Sequence, residues 1–200
     1  MSFDVLIAFA VFCFVSSVTP GPNNLMLLAS GANFGVRPTL PHWLGIGIGF
    51  TVMIILVGLG LIAFFDAYPW IYTALKVLSV AFLIYLAWKI ATAAPAGVQG
   101  KQGDPMTFLQ ASAFQWANPK AWAMALTAVT VYAPSQSILA VIGTALLFGA
   151  INLPTCGIWM FVGQRLRVFL SDPKRLRIFN IVMAVLLLAS LYPILFPGTA

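Results

Sequence analysis

Two short stretches hold the residue types that could do chemistry: "SSVTPGPNN", residues 16–24, and "WANPKAW", residues 116–122. Proline has no N–H, so Pro20 and Pro22 leave the carbonyls of Ser16 and Val18 without helical partners. Pro119 does the same to Gln115 and Pro154 to Ala150, while Gly21 permits backbone conformations that other residues resist. Freed carbonyls, with the hydroxyls of Ser16, Ser17 and Thr19, suit an ammonium. A helix reopening at Asn23 and Asn24 aims N–H groups and the positive end of its dipole at the same space, which suits a carboxylate. A zwitterionic amino acid presents both groups. The plainer alternative is a packing kink whose backbone groups are satisfied by neighbouring helices.

Lys120 lies well inside an apolar run, where a charge is costly to keep and so points to function. It suits a substrate carboxylate or a transported proton; the plainer role is to bond freed carbonyls. Asn118 is the next candidate, ahead of Asn152, which reads as a cross-helix hydrogen-bonding residue. Lys76 reads as a side chain snorkelling outward, and His42, beside Pro41 and Trp43, as an interfacial residue. The candidate binding set is therefore Ser16, Thr19, Pro20, Gly21, Pro22, Asn23, Asn24, Asn118, Pro119 and Lys120. Glutamate does not occur, and the aspartates sit at or beyond the ends of apolar runs, so the buried carboxylate usual in proton-coupled carriers is missing. Cys13 and Cys156 lie far apart with no CxxC and no His or acid cluster beside them, so neither a disulfide, a metal site nor a cofactor is expected.

Positioning these groups falls to helices in lipid. With 62% hydrophobic and 7% charged residues and a mean hydropathy of +1.01, the chain cannot cover itself with a polar surface, which excludes a soluble enzyme. Six apolar runs, 3–34, 43–65, 70–94, 106–133, 138–163 and 178–196, are each long enough to span. They fill the chain as one transmembrane domain: repeat one 1–94, a polar Gly- and Pro-rich cytoplasmic loop 95–105, and repeat two 106–200. The first run, as a straight helix, would be roughly 48 Å long against a hydrocarbon core of ~30 Å, so it must tilt strongly or break. Its amino terminus lacks a basic leader and reads as a retained first helix.

The net charge of +6 resides mostly in connections, so it reports topology rather than nucleic-acid binding. Arg37, Lys89, Lys101, Arg165, Arg167, Lys174, Arg175 and Arg177 mark alternate connections as cytoplasmic. Asp4, Asp66, the "APSQS" turn and the terminal "PGTA" fall on the other side, which places both termini outside the cytoplasm. Three spans per half require two halves inserted in opposite senses. The expected fold is an all-α integral membrane protein of six transmembrane helices, arranged as two inverted three-helix repeats with the first helix of each half broken at proline. Pro22 lies twelve residues before Phe34 and Pro119 twelve residues after Thr107, so the two breaks can meet at one depth.

The stretches "TPGPNNLMLLASGANFG", "GIGIGF", "LKVLSVAFLIYLAWKIATA" and "ANPKAW" occur in that order across nearly the whole chain. In them the sequence resembles the LysE/RhtB family of amino-acid exporters, and its "AWKIAT" segment is similar to the cysteine and O-acetylserine exporters within that family. The resemblance implies a multi-pass inner-membrane secondary transporter that moves amino acids or their derivatives outward, using the proton-motive force. Its partners would be a small amino acid and the lipid bilayer, and a homo-oligomer stays open. The chain departs from the family pattern at Ser79 and Phe82, where Gly and Tyr are common, and at Asn23 and Asn24, where some members carry Asp. Two rivals stand beside the exporter: a transmembrane thiol-disulfide electron carrier using Cys13 and Cys156, and a passive channel for small solutes.

Overall fold

A computed structural model describes residues 2–61, 67–68, 70–93, 104–133 and 137–192. Asp66, Lys101, most of the 95–105 loop, residues 134–136 of the "APSQS" turn and the terminal "PGTA" lie outside the described residues. Every regular element among the described residues is helical. Helix α1 runs over Phe3–Val18, α2 over Pro22–Phe34 and α3 over Val36–Leu56, the last continuing through a wide turn at Val57–Leu61. Helix α4 is Trp70–Ala91, α5 Phe108–Ala117 and α6 Pro119–Thr127, which also ends in a wide turn, Ala128–Tyr132. Helix α7 is Ile138–Phe169 and α8 is Pro173–Ala189.

Local chemistry sets these boundaries. Ser2, Thr107, Ser137 and Asp172 cap the starts of α1, α5, α7 and α8 by accepting from first-turn N–H groups. Thr107 also forms a reciprocal capping box with Gln110. Each such cap stabilises its helix by about 1 kcal/mol. Prolines open α2, α6 and α8, where a missing N–H costs nothing. Between α2 and α3 the chain turns on Gly35, whose φ of +86° lies in the left-handed region that side-chain-bearing residues avoid. Gln164 fastens that turn from α7 by accepting the Val36 N–H at 2.7 Å.

Three described helical segments are long and apolar enough to cross a membrane: Val36–Leu61, Thr73–Ala91 and Ile138–Phe169. Helices α1 and α2 pass the same test as a pair, bent by 53° across the Thr19–Gly21 interruption. Pro154 behaves otherwise. The sequence reading treats it as a third break, yet α7 runs through it without interruption. The Trp43 indole donates to the Leu153 carbonyl at 2.7 Å and the Thr155 hydroxyl to that of Ile151 at 2.6 Å, tying the turns around the proline in place.

In lipid, helices associate through close packing of small residues rather than by hiding apolar surface from water. The tightest crossing here is α2 on α7. A Cβ on Gly31 would collide with the Met160 carbonyl, and one on Gly163 with the Leu28 carbonyl. Gly45 and Gly49 let α3 approach Phe108, Ala111 and Ser112 of α5 in the same way. Gly163→Val is therefore expected to destabilise the bundle by about 1–3 kcal/mol, seen as an earlier thermal transition in detergent. Gly143→Ala, facing open space, should leave the transition unchanged or slightly raised.

Two apolar clusters flank the centre of the bundle. One gathers Phe9, Phe50, Met53 and Phe148, with edge-to-face contacts of 5.1 Å for Phe50–Phe148 and 5.8 Å for Phe9–Phe148. The other holds Leu27, Ile46, Leu83, Phe114 and Met160.

Candidate functional site

The interruption after α1 and the one before α6 face each other. Asn23, in the first turn of α2, donates to Gln115 Oε1 at 2.8 Å, and Gln115 Nε2 returns a bond to Asn23 Oδ1 at 3.3 Å. From the other side, Lys120 Nζ donates to the Thr19 carbonyl at 2.6 Å and to Thr19 Oγ1 at 2.9 Å. Gly21 makes room for that lysine, since a Cβ there would lie 2.8 Å from Lys120 Cδ. Asn118 caps α6 by accepting the Lys120 N–H. Two helix N-termini thus open onto one space.

Most of the carbonyls that the prolines release already have partners. Thr19 Oγ1 donates to the Ser16 carbonyl, and the Trp159 indole reaches the Val18 carbonyl at 3.2 Å. Asn24 Nδ2 spans the gap, donating to Ser17 O at 2.7 Å and Thr19 O at 2.8 Å. The Gln115 carbonyl accepts from the Asn118 N–H. The sequence reading reserved such carbonyls for a ligand ammonium, but the backbone of the break is satisfied internally, as the low dielectric of lipid demands.

The unpaired acceptors are one layer further in. Because both protons of the Asn24 amide face carbonyls, its Oδ1 points the other way, and that oxygen is buried without a partner. Asn152 repeats the pattern: its Nδ2 donates to Ser17 Oγ at 2.9 Å and its Oδ1 is buried and unpaired. Both side chains line a small pocket shared with Ser16, Ser17, Lys120 and Cys156. Lys120 uses two of its three ammonium protons on Thr19, which leaves one for a ligand. The pocket's lining therefore combines a cation with residues that carry unpaired amide oxygens. A carboxylate and an ammonium on one small molecule satisfy both.

Of the ten sequence candidates, Ser16, Gly21, Asn23, Asn24, Asn118 and Lys120 line this pocket. Thr19 and Pro20 are exposed beside it, Pro22 is buried behind it, and Pro119 borders a lateral groove with Trp116 and Lys76. Gln115 was missed. Its polar side chain in an apolar run, three residues before Asn118, was the available signal, and it is fully buried. Cys156 also lines the pocket, whereas Cys13 sits in the separate aromatic cluster, so the two free thiols form no pair. His42 is not interfacial: it is 1% exposed, buried on α3.

The Asn23–Gln115 pair joins the two interruptions, so its energetics are testable as a coupling. Alanine at both positions should destabilise by less than the sum of the single changes, with a coupling of about 0.5–3 kcal/mol in thermal or denaturant unfolding.

The sequence model of the LysE type translocator family matches residues 14–190. The chain belongs to that family. Among relatives of this translocator, the cysteine/O-acetylserine efflux protein of Escherichia coli K12 is 31% identical over 192 residues, covering 94% of this chain and 95% of that one. The protein of the same name from Escherichia coli O139:H28 is 31% identical over 193 residues, 94% and 96% of the two chains. That of Shigella flexneri is 31% identical over 188 residues, 92% and 93%. No solved structure matches the chain. Family and apolar helices together make the translocator a multi-pass membrane protein.

Proposed function

We propose that this translocator exports a small zwitterionic amino acid of the cysteine or O-acetylserine class from the cytoplasm. The substrate carboxylate lies on Lys120 and its ammonium on Asn24 Oδ1 and Asn152 Oδ1. The observation that carries this reading is the pairing of one cation with two unpaired buried amide oxygens in a single pocket, where two interrupted helices meet. The relatives named for cysteine and O-acetylserine efflux favour that substrate class over larger or doubly charged amino acids.

The architecture that serves this reading is six spans in two inverted repeats, 1–94 and 106–200, joined by a cytoplasmic loop at 95–105. Both termini face away from the cytoplasm of an inner membrane, and the proton-motive force drives export. The matching interruptions at residues 19–21 and at Asn118 support the repeat, and the basic residues near the α2–α3 and α7–α8 connections support the orientation. The test is efflux of a panel of labelled amino acids from loaded cells, with and without a protonophore. Cysteine and O-acetylserine should leave fastest, and the protonophore should stop them. Equal efflux from cells lacking the protein would overturn the reading.

A further inference from the structure

A second cavity lies along the same helix. Asn23 and Asn24 of α2 border the pocket at the break, while Ala29 and Asn33, further down the same helix, border a second, larger cavity. At ~1.5 Å per residue, Asn24 and Asn33 are roughly 13 Å apart along α2. The walls are largely apolar, with Met26, Leu86 and Ile90, and the polar residues converging there include His42, Lys89 and Asp104.

The hydrogen-bond inventory singles out one of these groups. Ser30, on the same wall, is already paired with Thr39 at 2.8 Å, and Asn33 with Asn180 at 2.9 Å. His42 is different. It is 1% exposed and neither ring nitrogen has a partner. A buried imidazole left unpaired forfeits about 1–3 kcal/mol, so a structure that keeps one facing a cavity holds it for something that enters. Lys89 Nζ donates to the Asp104 carbonyl at 2.7 Å, which leaves ammonium protons over and fixes the lysine beside the Asp104 residue at the cavity's edge.

We infer that this cavity is a second amino-acid site, where the carboxylate of a zwitterion lies against His42 and Lys89 and its ammonium against Asp104. It deepens the export reading, on which it rests for substrate class and direction: the site lies toward Lys89 in the last turn of α4 and the end of α2 that leads to Arg37, so an amino acid leaving the cytoplasm occupies it before reaching the break. The apolar walls take up the short side chain, and the next step along α2 brings the substrate to Asn24.

His42 is the sole histidine, so its imidazole is a built-in reporter. Full-length protein labelled with 15N-histidine, held in nanodiscs, is titrated with O-acetyl-L-serine, with acetate and with methylammonium. The zwitterion should shift the imidazole signals saturably, with acetate acting more weakly and methylammonium least. Lys89→Met should weaken the apparent affinity for O-acetylserine by about tenfold or more, and Asp104→Asn severalfold. Lys120→Met should leave the shift intact, because that lysine belongs to the other pocket. An imidazole signal indifferent to O-acetylserine, or a titration identical in wild type, Lys89→Met and Asp104→Asn, would overturn the second site. The two readings fail separately: export with an unresponsive His42 removes only the second site, and a responsive His42 without export removes only the transport reading.

Discussion

Asn24→Leu should abolish export and destabilise the protein together. The leucine keeps the volume but removes both N–H bonds that hold Ser17 O and Thr19 O, along with the amide oxygen that faces the pocket. Thr19 O keeps Lys120 as a partner, whereas Ser17 O loses its strong donor, and an abandoned buried carbonyl costs about 1–3 kcal/mol. Loss of a charge-assisted bond to the substrate ammonium adds about ten- to hundredfold in apparent affinity. Asn24→Asp separates the two roles. Its carboxylate can still accept from an ammonium but can donate to neither carbonyl, so stability should fall while substrate recognition is partly kept. Efflux of labelled O-acetylserine and thermal unfolding of the purified protein read the two effects independently. Wild-type efflux from Asn24→Leu would place the site elsewhere.

Lys120→Met should show the opposite division, a large functional loss with little loss of stability. Thr19 O retains the Asn24 amide when the ammonium is gone, and methionine still lies over Gly21. With the cation removed, nothing else among the described residues lining that pocket carries a positive charge, so a substrate carboxylate there would lose its counter-charge. Export should fall by about ten- to a hundredfold, chiefly through a raised KM, with the thermal transition close to that of wild type. An unchanged KM and pH profile would mean that Lys120 serves only to hold the Thr19 backbone.

The helical character of the chain and the ends of its interrupted helices were legible because they depend on local properties. Apolar runs without charges must satisfy their own backbone in lipid, and a proline removes one N–H at a known position. Six of the ten candidate residues reach the pocket for the same reason: polar groups beside a proline in an apolar run have few other places to go. What was not legible depends on pairs distant in sequence. Gln115 acquires its role from Asn23, 92 positions away, and the carbonyl of Val18 is claimed by Trp159, 141 positions away. Pro154 does not interrupt α7, and the Trp43 indole that bonds the neighbouring Leu153 carbonyl comes from another helix, out of reach of a local reading. His42 was read from its neighbours Pro41 and Trp43 as interfacial, but whether a residue near a helix end faces lipid headgroups or protein is decided by the helices packed around it, and His42 is buried.

Counterflow in proteoliposomes tests the central claim most directly. Vesicles containing the purified translocator are loaded with unlabelled O-acetylserine and diluted into a trace of the labelled compound. An alternating site built from Asn24, Asn152 and Lys120 predicts transient, saturable accumulation of label above its external concentration, lost in Lys120→Met. Flux that is linear in concentration, without trans-stimulation and equal in Lys120→Met, would contradict the account and leave a passive channel in its place.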